Sequence, residues 1–386
     1  MQTLGVVLAQ LLNFALLPLT IFFLGYDDYG KYQLSLGYIF VITAPVFAAL
    51  DSYLLRSNNS FYTRNVVLVK SIYVLFTLPV TTLFGNLSVF YNLILTLTIY
   101  LLSYRDTLCI MLRIKNEDVY TVGLRVIPNI ILIIQVVLIK PQTCEDLIIS
   151  LFFSYLLVTV LSRKLFSFSG PRNFKLLERL PLKKCHIKRF ALIAIPLFLT
   201  QGFCNLDIII LSKKFDNEQI GFYRTAFTIT SILPLIVGYI LNVMIGELKN
   251  AEFAKREAIL NKYLILTISL SFTFFIGFEV FKILEPHLKL FIIHADVKYN
   301  LQFLVISQSL NSIGMVLLYF FASCNMDKVI ITSNLLGFFV YFAMIWLSWQ
   351  DTSPQLLSLI IAYTSSLSYL GVKYYKNKCL QATLSS

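Results

Sequence analysis

The chain has 386 residues, of which 58% are hydrophobic and 13% charged, and its formal net charge is +12. Together with a mean hydropathy of +0.76, this composition excludes an ordinary soluble domain and indicates a polytopic membrane protein. The basic residues lie in short connections rather than in a separate basic domain. They therefore indicate membrane topology and anionic lipid, and they argue against nucleic-acid binding.

Apolar runs long enough to cross a bilayer follow one another along nearly the whole chain. We predict an all-α integral membrane protein with about twelve membrane-spanning helices. The first six spans are predicted at about residues 4–24, 33–54, 66–85, 89–111, 120–139 and 145–162. The second six are predicted at about residues 190–211, 222–245, 262–282, 300–322, 329–348 and 355–374.

Lys and Arg residues alternate between basic-rich and basic-poor connections along the chain. The rich set includes Arg56, Lys70 and the run from Arg163 to Arg189. Because basic loops stay on the cytoplasmic side, we predict that this set and both chain termini are cytoplasmic. By the same assignment, Lys70 belongs to a connection and Asp51 lies at a cytoplasmic helix end.

The longest connection, between the sixth and seventh spans, divides the chain into two halves. It contains the helix-breaking residues Gly170, Pro171 and Pro181. We interpret it as an amphipathic, basic cytoplasmic linker that lies on anionic lipid. The predicted organisation is a six-helix bundle over 1–165, a linker over 166–189 and a second six-helix bundle over 190–386.

A short motif recurs after the first and the seventh span. The chain reads LGYDDYGKY from Leu24 to Tyr32 and FDNEQIGFY from Phe215 to Tyr223. In register, Gly30 aligns with Gly221, Asp27 with Glu218 and Tyr32 with Tyr223. An even number of spans in each half gives both halves the same orientation. This predicts parallel repeats related by a pseudo-two-fold axis along the membrane normal, as in carriers that alternate access.

Several arginines lie near or inside predicted spans. Arg105 and Arg113 share a helix face because they are about two turns apart. Guanidinium groups suit phosphate, since the planar fork donates two hydrogen bonds and stays charged. Snorkelling from helix ends is the alternative explanation. The candidate substrate-binding cations are Arg56, Arg105, Arg113, Arg125 and Arg224.

One acid and several neutral polar residues also fall inside predicted spans. Asp207 is the acid hardest to explain by snorkelling, and it could couple transport to a cation gradient or make a structural hydrogen bond. The neutral groups either join helices or line a hydrated lumen that receives sugar hydroxyls. The predicted lumen residues are Gln10 and Asn13, Gln201 and Asn205, and Gln308 and Asn311.

The sequence predicts neither a metal nor a cofactor. The six cysteines form no CxxC pair and the three histidines have no metal-ligand spacing. Connections on the outer side are short, so no soluble catalytic domain is expected there. We therefore predict a protein that is not an enzyme.

Three segments resemble a known family. The LGYDDYGKY motif, with Arg56 closing the second span, resembles the start of bacterial polysaccharide flippases known as Wzx or O-antigen translocases. The stretch NLDIIILSKKFDNEQIGFYRTA, which contains Asp207, Gly221 and Tyr223, is similar to their seventh-to-eighth helix region. LKLFIIHADVKYNLQFLVI resembles the approach to their tenth span, although the usual glycine is missing. These flippases belong to the multidrug/oligosaccharidyl-lipid/polysaccharide exporter (MOP) superfamily.

The resemblance implies a substrate and a cellular location. The substrate would be an oligosaccharide on undecaprenyl pyrophosphate, moved across the bacterial inner membrane for O-antigen, lipopolysaccharide or capsule biosynthesis. A sugar pyrophosphate cannot cross hydrocarbon unaided, because its charges and hydroxyls would lose their hydration. A polar, cationic lumen would replace that hydration. The resemblance leaves open whether a proton or sodium gradient drives transport and whether polysaccharide polymerase machinery is a partner.

Two other classes of membrane protein remain as alternatives. An integral-membrane polysaccharide polymerase or ligase would need a large, basic outer loop, and none is visible in the sequence. Another carrier is the second alternative, either a drug/cation antiporter of the same superfamily or a major-facilitator transporter. The latter carries a glycine-rich basic motif between its second and third spans, where this chain reads SNNSFYTRN without glycine.

Overall fold

The computed structural model describes most of the chain and contains helices throughout. The residues described are 2–57, 63–84, 87–114, 118–165, 205–251, 253–288, 294–324, 326–347 and 353–384. No strand occurs in these ranges, and the prediction of an all-α membrane fold is confirmed. The predicted linker at 166–189 and the predicted lumen residue Gln201 lie outside them.

Twelve helices or parts of helices are visible in the described residues. From the N-terminus they are α1 Gln2–Ser57, α2 Thr63–Phe84, α3 Val89–Ile114, α4 Asp118–Ile139, α5 Cys144–Leu165 and the described part of α6 at 205–211. They continue with α7 Asn217–Thr230, α8 Ile232–Asn250, α9 Phe253–Leu288, α10 Ala295–Ser323, α11 Asp327–Leu347 and α12 Ser353–Leu384. Eight stretches of the described helices are long and apolar enough to cross a membrane.

The chain separates into two compact units, residues 1–221 and 222–386. In the first unit, α1 packs on α4, α2 on α3, and α3 on α5. In the second unit, α10 packs on α8, α9 and α12, and α11 packs on α12. Large apolar side chains such as Phe22, Phe76 and Phe339 remain exposed on the helix surfaces. In a membrane protein such side chains face lipid, and the polar backbone is satisfied within each helix.

The long helix α1 contains two predicted spans and breaks at Gly25. Gly25 has a φ of 74°, in the left-handed region that favours glycine. The connection predicted at 25–32 is otherwise helical. Asp27 and Asp28 lie in the first turn after the break, where acids are favoured by the helix dipole. Lys31 holds both carboxylates, at 2.6 Å from Asp27 Oδ2 and 3.3 Å from Asp28 Oδ1.

The eighth predicted span is interrupted and begins early. Asp216 caps α7, accepting a hydrogen bond from the Gln219 N–H at 2.9 Å, and α7 therefore starts at Asn217 rather than near residue 222. A break at Ser231 then separates α7 from α8. Pro234 explains this break, because it has no N–H to continue the helix ladder across the junction.

The two copies of the repeated motif touch one another at Gly30 and Gly221, both of which belong to the first unit. A Cβ added to Gly30 would overlap the carbonyl oxygen of Asn217, and one added to Gly221 would overlap the carbonyl oxygen of Tyr26. Each glycine thus faces the carbonyl four residues before the other glycine. That reciprocity is the contact expected when two equivalent segments meet about a local two-fold axis. Only glycine allows the two backbones to approach so closely.

The buried core of the second unit is held together by apolar packing and neutral hydrogen bonds, and the ion pair between Glu247 and Lys262 lies at its surface. Its core includes Leu233, Leu241, Val316 and Phe321, each less than 3% exposed. The hydroxyl of Ser333 in α11 donates to the Ser366 carbonyl at 3.2 Å. The Ser366 hydroxyl in α12 donates back to the Ser333 carbonyl at 3.0 Å. Among the described residues of this unit, none of the fully buried side chains is charged.

Candidate functional site

A buried lysine lies among the helices of the first unit. Lys70 is in the second turn of α2, and its side chain has no exposed surface. Its assignment to a cytoplasmic connection is therefore wrong. A lysine so deeply buried requires a counter-charge, because an isolated ammonium loses its hydration at high cost. Asp51, near the end of α1, supplies that charge.

Five oxygen atoms surround the Lys70 ammonium. The Asp51 carboxylate accepts from Nζ at 2.7 Å through Oδ1 and 2.8 Å through Oδ2. The hydroxyls of Ser103 and Thr107 each accept at 2.7 Å, and the Ser103 carbonyl oxygen lies at 3.3 Å. Ser103 and Thr107 are four residues apart and hence on one face of α3. The ammonium thus links α1, α2 and α3.

The hydrogen-bond donors and acceptors around Asp51 match one another. The Thr107 hydroxyl donates to Asp51 Oδ1 at 2.8 Å while it accepts from the ammonium. Each polar group in this network therefore has an acceptor for its proton or a donor for its lone pair. The Phe47 ring, whose centroid is 5.3 Å from Nζ, closes another side of the ammonium. A cation is attracted to such a ring face.

A second ion pair lies directly beside this network, because Arg105 and Asp106 fall between Ser103 and Thr107 in α3. The Arg105 guanidinium donates to Asp106 Oδ1 from Nη2 at 2.8 Å and from Nε at 3.2 Å. Its Nη1 donates to the Tyr155 hydroxyl of α5 at 3.4 Å, and the guanidinium lies over the Tyr155 ring. Three of the five guanidinium N–H groups are therefore used. The predicted substrate-binding residue Arg105 therefore already uses two N–H groups on Asp106, which is next to it in the sequence, and one on Tyr155.

Arg125 in α4 is the cation without a carboxylate among the described residues of this region. It lies beside the buried Cys109 thiol of α3, which Arg105 also approaches. Its Nε is buried and has no hydrogen-bond partner among the described residues. A buried donor left without an acceptor carries a desolvation cost of about 1–3 kcal/mol. That donor is available to an anion or an acceptor that the described residues do not supply.

These five charged residues form one cluster, and we call it the charge cluster. Asp106 acts electrostatically on both Asp51 and Lys70 as well as on Arg105. The three cations outnumber the two carboxylates, so the cluster carries one net positive charge. Both carboxylates are committed to cations of the protein. The members of the charge cluster are Asp51, Lys70, Arg105, Asp106 and Arg125.

The other predicted cations are not part of the charge cluster as described. The side chains of Arg56 at the end of α1 and Arg113 at the end of α3 lie outside the described residues. Arg224 lies in α7, in the second unit, and is half-buried. Its guanidinium lies over the Phe227 ring at 4.9 Å from the centroid. Of the five predicted substrate cations, the structure brings Arg105 and Arg125 together.

The predicted acid Asp207 is fully buried in α6. Its Oδ1 accepts from the Ile208 N–H at 2.7 Å. Asn205 is also buried, and its carbonyl oxygen lies close to Gly37 of α1. Because Asp207 has no exposed surface, a glutamate there would overpack its surroundings. Asp207→Asn, which keeps the shape, is the cleaner way to ask whether its charge matters.

The neutral lumen residues differ in exposure. Gln10 is half-buried and Asn13 exposed on α1. In α10, Gln308 is buried, and its Oε1 accepts from the Asn311 amide at 3.2 Å. This last pair satisfies part of its own hydrogen-bonding capacity within one helix. The described residues contain no group of three or more His, Cys, Asp or Glu side chains that could hold a metal ion.

A signal for the missed Asp51–Lys70 pair was present in the sequence. Asp51 lies just before the end of the predicted span 33–54, and Lys70 just after the start of the next, 66–85. Consecutive spans are antiparallel, so both residues lie at about the same depth. Opposite charges at one depth in neighbouring spans indicate a buried pair.

Comparison with solved structures identifies the fold. A multidrug resistance MATE family transporter of the MOP superfamily, in an outward-facing conformation, superposes with a TM-score of 0.71 at 13% sequence identity, covering 98% of this chain and 94% of that one. The lipid II flippase MurJ, in an inward closed conformation, superposes with a TM-score of 0.76 at 14% identity, covering 97% and 87%. The fold is that of MATE transporters and MurJ.

A further MATE multidrug transporter extends this comparison. DinF-BH, solved as a complex, superposes with a TM-score of 0.64 at 16% identity, covering 97% of this chain and 93% of that one. No protein-family model matches the sequence, and no curated protein matches it. The MATE and MurJ likenesses establish a multi-pass membrane fold that these solved transporters and the flippase share.

Proposed function

We propose that the chain is a flippase for lipid-linked oligosaccharide, which moves undecaprenyl-pyrophosphate-linked glycan units from the cytoplasmic to the outer leaflet. The net positive charge of the charge cluster carries this proposal. Both of its carboxylates are paired with the protein's own cations, whereas Arg125 has a buried N–H without an acceptor among the described residues. A transport pathway that contains this net positive charge suits an anionic substrate better than a cationic one.

Pyrophosphate has the chemistry that such a site would recognise. A guanidinium offers bidentate, charge-assisted hydrogen bonds to phosphate oxygens and remains charged at every physiological pH. Arg125 would bind the pyrophosphate, and the free N–H groups of Arg105 would add to it. Neutral groups of the same unit, such as Gln10 and Asn13 of α1, would receive glycan hydroxyls. The isoprenoid tail would remain in the lipid while the head group crosses by alternating access.

The fold itself is compatible with two transported classes. MurJ is a lipid II flippase, and the other two solved structures compared above are multidrug transporters, so a drug/cation antiporter is the alternative. An exporter of cationic drugs would favour carboxylates that are free to meet the substrate. The two carboxylates of the charge cluster are held by Lys70 and Arg105. This pairing favours the flippase.

Reconstitution into proteoliposomes separates the two functions. Vesicles would carry an undecaprenyl-pyrophosphate-linked oligosaccharide with a labelled sugar, and an impermeant glycosidase would report which leaflet holds it. We expect the purified protein to accelerate exchange of the sugar between leaflets. A parallel experiment would follow a cationic dye trapped inside the same vesicles. Dye movement without glycan movement would support the antiporter and exclude the flippase.

A further inference from the structure

We propose that the oxygen atoms around Lys70 form a monovalent-cation site that the lysine itself occupies. Lys70 is then a cation attached to the chain, standing where a free ion could bind. The site lies between α1, α2 and α3 of the first unit, and its oxygen ligands come from Asp51, Ser103 and Thr107. Cation binding at this place is independent of the identity of the transported substrate.

The set of ligands is that of a cation site. Two carboxylate oxygens, two hydroxyls and one backbone carbonyl surround Nζ within 3.3 Å. An ammonium has only three N–H donors. Five surrounding oxygens therefore exceed what hydrogen bonding to a lysine requires. Carboxylates, carbonyls and other oxygens are the ligands that hard metal cations take in proteins.

The negative charge of the oxygen ligands favours a monovalent over a divalent cation. Asp51 contributes a single negative charge, which one monovalent cation neutralises. A divalent ion would leave an excess positive charge close to Arg105 and Arg125, which Asp106 only partly compensates. Such an excess is unfavourable in a region of low dielectric constant.

The size of the site also fits a monovalent cation. The distances from Nζ to the oxygens run from 2.7 to 3.3 Å. Ca²⁺ takes oxygens at about 2.3–2.6 Å and Mg²⁺ at about 2.0–2.1 Å, so both would require the helices to contract. An ammonium or a similarly large monovalent ion fits without that change. The aromatic face of Phe47 suits the same class of cation.

The covalent attachment of this cation has a mechanical consequence. A free ion at the same place could leave and rebind during a transport cycle, and α1, α2 and α3 could then change their packing. Lys70 cannot leave, so the three helices remain joined. The site is therefore a permanent link, and exchange with a proton or sodium gradient would have to take place elsewhere.

Removal of the lysine side chain should convert the site into one for free cations. In Lys70→Ala the oxygen ligands remain and the space of the stem is opened. We would measure the unfolding midpoint of the purified full-length protein in chloride salts of choline, Na⁺, K⁺, ammonium and n-propylammonium at equal ionic strength. We expect the variant to unfold at lower temperature in choline and to regain about 5 °C or more in n-propylammonium, ammonium or K⁺.

Three controls show whether the recovery depends on this site. Lys31→Ala removes a lysine that is paired with Asp27 and Asp28 at a partly exposed position, and it should show no cation preference. The wild-type protein should show none either. Adding Asp51→Asn to Lys70→Ala removes the negative charge of the site and should abolish the recovery.

Two outcomes measured on folded protein would overturn the proposal. One is a Lys70→Ala protein that is equally stable in choline and in the small cations. The other is a preference for small cations that persists after Asp51→Asn. If Lys70→Ala yields no folded protein in choline, it would be prepared in n-propylammonium, and Lys70→Ser would be prepared in the same way. Failure of both variants to fold in every salt would also contradict the proposal, because an added cation that binds at this site should restore folding.

Discussion

The two units of this protein stabilise their polar groups in different ways. The first unit buries the Lys70–Asp51 ion pair, with Lys70 fully enclosed, beside a second pair and an unmatched arginine. The second unit joins its helices through the reciprocal hydroxyl–carbonyl bonds of Ser333 and Ser366. Neutral hydrogen bonds suffice to join membrane helices. Buried charge is thus not required to join the helices of such a unit, and the proposed function rests on the buried charges of the first unit.

The largest expected effect comes from breaking the ion pair of the first unit. Asp51→Leu leaves Lys70 as a buried charge without a partner, and we expect a loss of about 3–5 kcal/mol in the free energy of unfolding. Chemical denaturation in detergent, followed by circular dichroism, would measure it. The double variant with Lys70→Met should recover most of the loss, because an apolar pair of similar volume needs no counter-charge. Equal destabilisation by the single and double variants would contradict this explanation.

The next largest effect should come from the contact between the two repeated motifs. In Gly30→Ala and in Gly221→Ala the new methyl group meets a backbone carbonyl, which cannot move aside as a side chain could. We expect each substitution to lower the free energy of unfolding by about 1–3 kcal/mol. The double variant should lose less than the sum, since one separation of the backbones relieves both overlaps.

A glycine of the second unit provides the matched control. Gly277 in α9 has open space around its missing Cβ. Gly277→Ala should therefore be neutral or stabilising by up to about 1 kcal/mol, through helix propensity alone. A loss at Gly277 as large as that at Gly30 would mean that the close approach of the backbones is not the cause.

Transport measurements on charge variants test whether the net positive charge of the charge cluster favours an anionic substrate. Arg125→Gln removes its net positive charge, and we expect the rate of glycan-lipid exchange to fall about tenfold, as loss of one charge-assisted hydrogen bond implies. Asp106→Asn adds positive charge and frees Arg105, so it should leave exchange unchanged or faster. The proteoliposome assay measures both, with protein content determined in the same vesicles. Faster exchange in Arg125→Gln together with slower exchange in Asp106→Asn would contradict an anionic substrate.

A smaller effect is expected from the neutral bonds of the second unit. Ser333→Ala removes one of two hydroxyl–carbonyl bonds between α11 and α12. Bonds of this kind between membrane helices contribute about 0.6 kcal/mol each. Ser333→Ala and Ser366→Ala should therefore each cost less than about 1 kcal/mol, measured under the conditions used for Asp51→Leu. A loss equal to that of Asp51→Leu would remove the distinction between the units.

The smallest effect concerns an exposed carboxylate of the second unit. The Tyr263 hydroxyl donates to Glu247 at 2.9 Å, and with Lys262 it lowers the pKa of that carboxyl below its ordinary value. The resulting stabilisation is present above the pKa of the unfolded state and is lost as the pH falls through the lowered folded pKa. Tyr263→Phe should flatten this acid dependence slightly. Unfolding midpoints between neutral and acidic pH would show it.

The fold could be predicted from the sequence because hydrophobic length and helix formation are local properties. The spans at 89–111, 120–139 and 145–162 agree with α3, α4 and α5 to within a few residues. The predicted helix boundaries were wrong where local capping or a backbone dihedral angle, rather than hydropathy, sets the start of a helix. Asp216 starts α7 inside a predicted connection, and the helix resumes directly after Gly25. These starts depend on side chain–backbone bonds and dihedral angles that hydropathy does not represent.

The site was harder to predict because it depends on contacts between helices. Arg105 and Arg125 were chosen for their own chemistry, but the sequence did not show that Asp106 engages one and that no described carboxylate engages the other. Lys70 was interpreted from its nearness to a basic connection. Its true surroundings come from residues 19 to 37 positions away along the chain. The positive-inside rule counts each basic residue separately. It therefore does not detect a lysine that is neutralised by an acid on another helix.

The position of Lys70 also bears on how the protein is inserted during synthesis. A lysine costs up to about 2.5–3.5 kcal/mol during insertion by the translocon, the value for the helix centre, and less towards a helix end such as the second turn of α2. Asp51 has already been synthesised when Lys70 leaves the ribosome, and Ser103 and Thr107 follow in the next helix, α3. The first three helices of this bundle can thus shield the charge before α4 is made. Nascent chains stopped after α3 should already be stably integrated, whereas those carrying Asp51→Leu should leave α2 outside the bilayer.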